Sequence, residues 1–358
     1  MKKIMLIFGT RPEAIKMAPI IKEINSRKGL KCIICVTGQH REMLDQVLNV
    51  FDITPDYDLN IMSKNQSLND ITCLALSKLK KIIDEANPDV VLVQGDTTTA
   101  FAGALAAFYA KKKIGHIEAG LRTYDKYSPY PEEMNRAMIS RMADFHFCPT
   151  EENYNNLIKE NIDESKIYIT GNTIVDVFKY TIDEGYTNDI LDWVGEDKLI
   201  FFTAHRRENL GSYLEKLFDT INKFTLNKKG VKVLYPVHLN PYIRELAYKC
   251  FANNDNVKLV DPLSVVDCHN ILKRSNLIVT DSGGIQEEGV SLNKKVIVLR
   301  DKTERVEGID SGNLIISKDN LRKNIMKFID DSNSADTTNN IYGSGNASEQ
   351  IIDILIKS

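Results

Sequence analysis

Acidic residues recur directly after short apolar runs, where a chain leaving a β-strand would present them. Asp96 stands in Gly95-Asp96-Thr97-Thr98-Thr99, and Glu118 in His116-Ile117-Glu118-Ala119-Gly120-Leu121-Arg122. Glu132 and Glu133 follow in Pro129-Tyr130-Pro131-Glu132-Glu133-Met134-Asn135-Arg136, which reads as a helix start. Each acid has an ordinary reading, since Asp96 would cap the next helix and acids at a helix start complement its dipole. Together they have a chemical one. Carboxylates crowded in one cleft raise one another's pKa and can serve as general acid and general base.

Other loops suit an anion. Gly9-Thr10-Arg11-Pro12-Glu13-Ala14-Ile15-Lys16 opens a helix with Pro near its first turn and Arg11 and Lys16 beside its entrance. A helix N-terminus flanked by cations is a phosphate site, although capping with solvated charges would look the same. Thr280-Asp281-Ser282-Gly283-Gly284-Ile285-Gln286-Glu287-Glu288 runs a strand into Ser-Gly-Gly and then a helix. That is the geometry of a phosphate cradle, with backbone N–H groups, no Cβ in the way and a positive helix end. Glu288, one turn further in, would accept hydrogen bonds from a ribose, and Arg305 would reach the same place. His205, followed by Arg206 and Arg207, is placed after a strand to act on a phosphate leaving group; His238 repeats the pattern one strand later.

These loops require strands that end where they begin. Short β-rich runs alternate with helical patterns, which predicts parallel sheets covered by helices on both faces. Strands are predicted at Lys3–Phe8, Lys31–Thr37, Val90–Gln94, Ile114–Glu118, Phe145–Cys148 and Lys166–Thr170. A second series follows at Leu199–Thr203, Val231–Pro236, Val257–Val260, Leu277–Thr280 and Lys295–Leu299. Ala14–Ser26, Leu68–Glu85 and Thr98–Ala110 carry apolar residues at three-to-four spacing and are predicted helices. No repeat of solenoid or propeller period occurs. The fold class is therefore α/β, with two Rossmann-like doubly wound domains facing a cleft. With 358 residues, two domains are the default.

Composition removes several classes. Lys plus Arg number 46 against 49 Asp plus Glu, a formal charge of -3, so a dedicated nucleic-acid binder is not expected. The first apolar run ends at Phe8 and meets charge at Arg11, too short for a signal-peptide core. The longest apolar stretch, Ala100 to Ala110, is about half a membrane span, and a cytoplasmic protein without a membrane partner is predicted. Cys32 and Cys35 lie on a strand and point to opposite faces, so they read as core cysteines rather than metal ligands. The histidines are dispersed and no metal is called for. G-x-G-x-x-G is missing after the first strand, and the P-loop spacing and G-x-S-x-G are absent. Spacing alone gives a two-domain α/β protein for a phosphorylated or nucleotide ligand, with acid/base groups nearby.

Taken together, these strings resemble the non-hydrolysing UDP-N-acetylglucosamine 2-epimerases of bacteria. The resemblance runs through Gly9–Pro19, Gly38–Gln46, Gly95–Thr99, His116–Thr123, Ser128–Arg136, His205–Glu208 and Thr280–Glu288, in the family's order over nearly the whole chain. It implies the glycosyltransferase-B type of fold. An N-terminal domain would span 1–170 and be joined by a C-terminal helix at 346–358, which suits Ser348–Ile356; a UDP-binding domain would span 171–345. It implies reversible interconversion of UDP-GlcNAc and UDP-ManNAc, supplying ManNAc units for cell-surface polysaccharide, with no cofactor. C2 has no neighbouring carbonyl and no nicotinamide site is present, so the route left is elimination of UDP to a 2-acetamidoglucal and re-addition.

By matching positions, the resemblance makes Asp96, Glu118 and Glu132 the catalytic carboxylates and His205 the essential histidine, assigned here to the pyrophosphate. Arg11, Lys16, Ser282, Gly283, Gly284, Glu288 and Arg305 map onto positions that hold UDP. Domain closure around the intermediate is expected. The resemblance also implies a homodimer, and UDP-GlcNAc as allosteric activator at a second site at Gln39, His40, Glu42, Arg207 and His238. Val306 stands where the family has Pro, Asn65 where some members have Arg, and Asn340–Gly345 replaces the usual N-P-Y-G-D-G. None of these departures removes a catalytic group. The alternatives are a glycosyltransferase of the same fold, which would not account for clustered acids, and an epimerase of a modified UDP-GlcNAc. A silent nucleotide-sugar sensor would have lost one of the four catalytic residues. A hydrolysing relative would differ at Gly9–Lys16.

Overall fold

The computed structural model describes residues 1–38, 41–63, 66–206, 209–301, 303–317, 320–330 and 341–358, with the side chains of Arg41, Glu42, Val306 and Asp310 not among them. Contacts divide the chain into unit 1, Met1–Tyr180 with Tyr342–Ser358, and unit 2, Thr181–Ile341.

Unit 1 begins β1 (Lys2–Phe8), α1 (Arg11–Ser26), β2 (Leu30–Val36), α2 (Arg41–Val50), β3 (Tyr57–Asp58), α3 (Leu68–Ala86) and β4 (Val90–Gln94). It continues α4 (Thr98–Tyr109), β5 (Lys113–Ile117), α5 (Glu132–Met142), β6 (Phe145–Cys148), α6 (Glu151–Lys159), β7 (Ile167–Ile169) and α7 (Thr173–Thr181). Its seven-stranded sheet has the order β3-β2-β1-β4-β5-β6-β7 and every pairing is parallel. The direction of strand succession reverses between β1 and β4, and ligands of such sheets bind beyond the carboxyl ends of the strands at that point. The central strands are apolar throughout because helices cover both faces: Ile4 to Phe8 and Val90 to Val93 are fully buried.

Unit 2 runs α8 (Asp189–Val194), β8 (Lys198–Thr203), α9 (Ser212–Asn227), β9 (Val231–Pro236), α10 (Pro241–Phe251), β10 (Val257–Val260) and α11 (Val265–Arg274). There follow β11 (Leu277–Thr280), α12 (Gly283–Ser291), β12 (Val296–Val298), α13 (Val306–Asp310), β13 (Leu314–Ile316) and α14 (Leu321–Ile329). The six-stranded sheet, β10-β9-β8-β11-β12-β13, is again parallel and reverses between β8 and β11. Its core centres on Phe202, Phe218 and Tyr235, with the Phe202 and Tyr235 rings edge to face at 4.7 Å.

The final helix, α15 (Ala347–Lys357), returns to pack on α1. Asp176 of α7 accepts the free N–H groups of Ala347 (3.2 Å) and Ser348 (2.9 Å) at its start, and Arg27 meets Asp353 at 3.2 Å. Helix α7, which follows the 170/171 boundary read from the sequence, thus makes its anchoring contacts inside unit 1. Each predicted strand is present, with ends shifted by a residue or so. Two edge strands were not predicted, β3 and β13, because two or three residues carry too little pattern to register. Among the described residues, no helix is long and apolar enough to cross a membrane.

Candidate active site

The loop after β1 is organised by a residue that the sequence reading passed over. Glu13 is buried, and its Oε2 accepts the N–H groups of Gly9 (3.0 Å) and Thr10 (2.8 Å), while Thr97 Oγ1 donates to Oε1 at 2.7 Å. One carboxylate therefore ties the loop after β1 to the loop after β4. Burial pushes its pKa up, against the bonds from Thr97, Gly9 and Thr10. The T-x-x-E spacing of Thr10 and Glu13 is a capping-box pattern and would have revealed it.

Asp96 does not cap α4, contrary to the sequence expectation. Thr97 does, accepting from the Ala100 N–H at 3.0 Å. The hydroxyl sits one residue closer to the helix, leaving the Asp96 carboxylate for Arg136, whose Nη2 donates to Oδ2 at 2.6 Å. Asn135 Nδ2 donates to the Asp96 carbonyl at 2.9 Å.

Glu118 follows β5 in a left-handed conformation, φ 64°, which is uncommon outside glycine. Its buried Oε2 receives Lys16 Nζ at 2.7 Å and the Gln94 side-chain amide. Lys16 thus pairs with Glu118 across two elements. The turn continues through Gly120 at φ 88°, where a Cβ would stand 2.1 Å from the Asn153 carbonyl oxygen, so no other residue fits.

Glu132 is half-buried at the start of α5, whereas Glu133 is buried and accepts the N–H groups of Thr123 (3.0 Å) and Tyr124 (2.9 Å). Of the paired acids, Glu133 thus builds the loop. Arg11 is half-buried at the first position of α1.

In unit 2, the loop after β8 leans on Asp281, which is wholly buried. Asp281 Oδ2 accepts the N–H groups of His205 and Arg206, both at 2.8 Å, and Asn209 Nδ2 at 3.0 Å. His205 Nδ1 lies 3.3 Å from the other oxygen. Tyr235, buried in the core, donates its hydroxyl to the Ala204 carbonyl at 2.9 Å. Thus the backbone of His205 is held from beneath, and its ring lies close to the same carboxylate. The His238 ring stacks parallel on it at 5.2 Å, and burial together with His205 lowers the His238 pKa.

Ser282 stands at the N-cap of α12. A Cβ at Gly283 would lie 2.9 Å from Arg305 Nη1, so the guanidinium covers this turn. Arg305 is fixed by Glu287 (Nε 2.8 Å, Nη2 2.6 Å) and by Glu304. The Glu288 carboxyl has one oxygen against Gly284 and the other buried, 3.7 Å from His269 Nε2. Gln39, His40 and Arg207 lie outside the described residues, as do the Glu42 side chain, Asn65 and the Val306 side chain.

Two parallel α/β units, one with carboxylates and one with a glycine turn and cations at the carboxyl edge, define a two-domain Rossmann-like α/β protein. A UDP-N-acetylglucosamine 2-epimerase family model matches residues 22–356. The UDP-N-acetylglucosamine 2-epimerase of Bacillus subtilis (strain 168) is 49% identical over 360 residues, covering 99% of this chain and 95% of its own. The crystal structure of a UDP-N-acetylglucosamine 2-epimerase, described as putative, from Listeria monocytogenes superposes with TM-score 0.96 at 45% identity, covering 99% and 96% of the two chains. That of the Neisseria meningitidis UDP-GlcNAc 2-epimerase bound to UDP-GlcNAc gives 0.92 at 42% identity, covering 99% and 100%. The chain belongs to the UDP-N-acetylglucosamine 2-epimerase family.

Proposed function

We propose that this chain interconverts UDP-GlcNAc and UDP-ManNAc by elimination and re-addition of UDP, and that its carboxyl-edge residues divide that work. A base removes the C2 proton, the C2–H electron pair forms the C1=C2 double bond, and the C1–O bond breaks with its pair leaving on UDP. The β-phosphate oxygen then attacks C1 of the 2-acetamidoglucal while C2 is protonated from the opposite face. Two faces require two acid/base groups, or one with a water, and Asp96, Glu118 and Glu132 supply them. The observation that carries this reading is the pairing of each of Asp96 and Glu118 with a cation from another element. Such pairing fixes the direction in which each carboxylate points.

His205, backed by the buried Asp281, offsets charge on the pyrophosphate as the C1–O bond breaks. Ser282, Gly283, Gly284 and Arg305 take the diphosphate, Glu288 the ribose, and Arg11 and Lys16 complete the UDP set. The enzyme acts as a cytoplasmic homodimer, and UDP-GlcNAc activates it at a second site formed by Gln39, His40, Glu42, Arg207 and His238. The stacking of His238 on His205 supports a path from that site to the leaving group. The product feeds cell-surface polysaccharide.

Incubation with UDP-GlcNAc in D2O, followed by NMR, tests the reaction. Deuterium at C2 of both UDP-sugars with little free sugar is expected. Free ManNAc accumulating with UDP would make the protein a hydrolase. No exchange despite UDP binding would overturn the assignment for this substrate.

A further inference from the structure

The Gly95–Asp96 segment is held through four of its polar groups by two other elements. Gly95, at φ 66°, donates its N–H to the Ile117 carbonyl of β5 at 2.9 Å. Its own carbonyl meets His116 Nε2, also of β5, at 2.7 Å. From α5, Asn135 holds the Asp96 carbonyl and Arg136 the Asp96 carboxylate. These are the same two elements that carry Glu118 and Glu132, so the acids share one hydrogen-bonded frame.

His116 is the unusual member of that frame. It is fully buried, and because its partner is a carbonyl, Nε2 must carry the proton. Nδ1 is then a bare acceptor, and it is buried without a partner among the described residues. An apolar ring would fill the same space without desolvating that nitrogen, so packing does not account for a histidine here. The hydrogen bond to Gly95 does.

We propose that His116 is a positioning residue for the reaction: its Nε2–H, by holding the Gly95 carbonyl, fixes how Asp96 presents its carboxylate relative to Glu118. This rests on the reading of Asp96 as an acid/base group. His116 itself moves no proton. Burial, with His146, Arg122 and Arg136 acting in the same direction, lowers its pKa from the ordinary 6.5 to about 3, so the ring stays neutral while the enzyme works.

Three variants and one spectrum test this. His116→Phe removes the donor, and kcat should fall between about 10- and 100-fold, the scale of a misplaced catalytic group. KM, UDP affinity and the pH positions of both limbs of the kcat profile should not change. His116→Gln, whose amide N–H can reach the same carbonyl, should recover most of kcat. In the unmodified protein, 15N spectra should show the neutral Nε2–H tautomer of His116 from pH 8 to pH 5, a readout that does not depend on a variant folding. An Nδ1–H tautomer, an unchanged kcat in His116→Phe, or a Gln variant no better than Phe would overturn the proposal. Asp96→Asn separates the two levels. If it keeps full kcat, the reading of Asp96 fails and the positioning role falls with it; if it is inactive while His116→Phe is not, only the positioning role fails.

Discussion

Unit 1 and unit 2 share a parallel α/β plan but build their carboxyl edges in opposite ways. Unit 1 presents side-chain carboxylates and balances them internally: Arg136 on Asp96, Lys16 on Glu118. Unit 2 keeps its key carboxylate, Asp281, out of solvent and uses it to aim backbone N–H groups and a histidine; the edge itself is a glycine turn under a guanidinium. On the proposed reaction, the contrast suits two tasks. Proton transfer needs side chains whose protonation can change, held by partners that fix direction. A diphosphate that gains charge as its bond to C1 breaks is best served by fixed donors with space for close approach.

The sharpest way to break the comparison is to disable each half separately. Glu118→Gln keeps the shape but removes an ionisable carboxylate, and turnover should fall by about 10²- to 10⁴-fold while calorimetry finds UDP affinity changed far less. If UDP binding fell in step with turnover, the division between the units would be wrong.

The next effect is one of pH and belongs to unit 1. His116 and His146 are buried neutral, with pKa values lowered to about 3 and about 4 from the ordinary 6.5. In the unfolded chain both protonate near 6.5, so the unfolded state binds more protons as the pH drops. Their contribution to stability is complete above that pH and is lost as the pH falls towards the folded values, by about 1.4 kcal/mol per pH unit for each histidine. Urea midpoints at pH 7 and pH 5 should show the loss, and His116→Gln should reduce it.

Gly283→Ala probes unit 2. A methyl group there must displace the Arg305 guanidinium, and UDP affinity should weaken about tenfold, or 1.4 kcal/mol, with kcat at saturating substrate changed less than KM. Equal loss in both would place Gly283 in the chemistry. Smallest is Thr97→Ala, which removes the cap of α4 and a donor to Glu13. It should cost about 1 kcal/mol in thermal unfolding and leave UDP binding intact.

The two halves were also unequally legible in the sequence. Thr280-Asp281-Ser282-Gly283-Gly284 announces its strand end, glycine turn and helix start because the three are contiguous, and β8 and β11 could be placed from apolar runs alone. Unit 1 gave up its acids but not their partners. Arg136 lies 40 residues from Asp96 and Lys16 lies 102 from Glu118, and no local pattern encodes such pairings. Asp96 looked like a cap because Asp and Thr compete for that place, and only the fold decides which of the adjacent residues takes it. Glu13 and Asp281 were visible as letters, but their burial, which makes them organisers, arises from packing.

The most direct test of this division uses UDP-GlcNAc carrying 18O in the oxygen that bridges C1 and the β-phosphate. If unit 2 retains UDP while unit 1 changes C2, the C1–O bond breaks and the freed phosphate rotates before it returns. The label should then scramble into non-bridging positions in the unmodified enzyme without free UDP accumulating, and should stay in place in Glu118→Gln. Epimerisation that proceeds with the label still in the bridge would contradict elimination, and with it the roles given to both units.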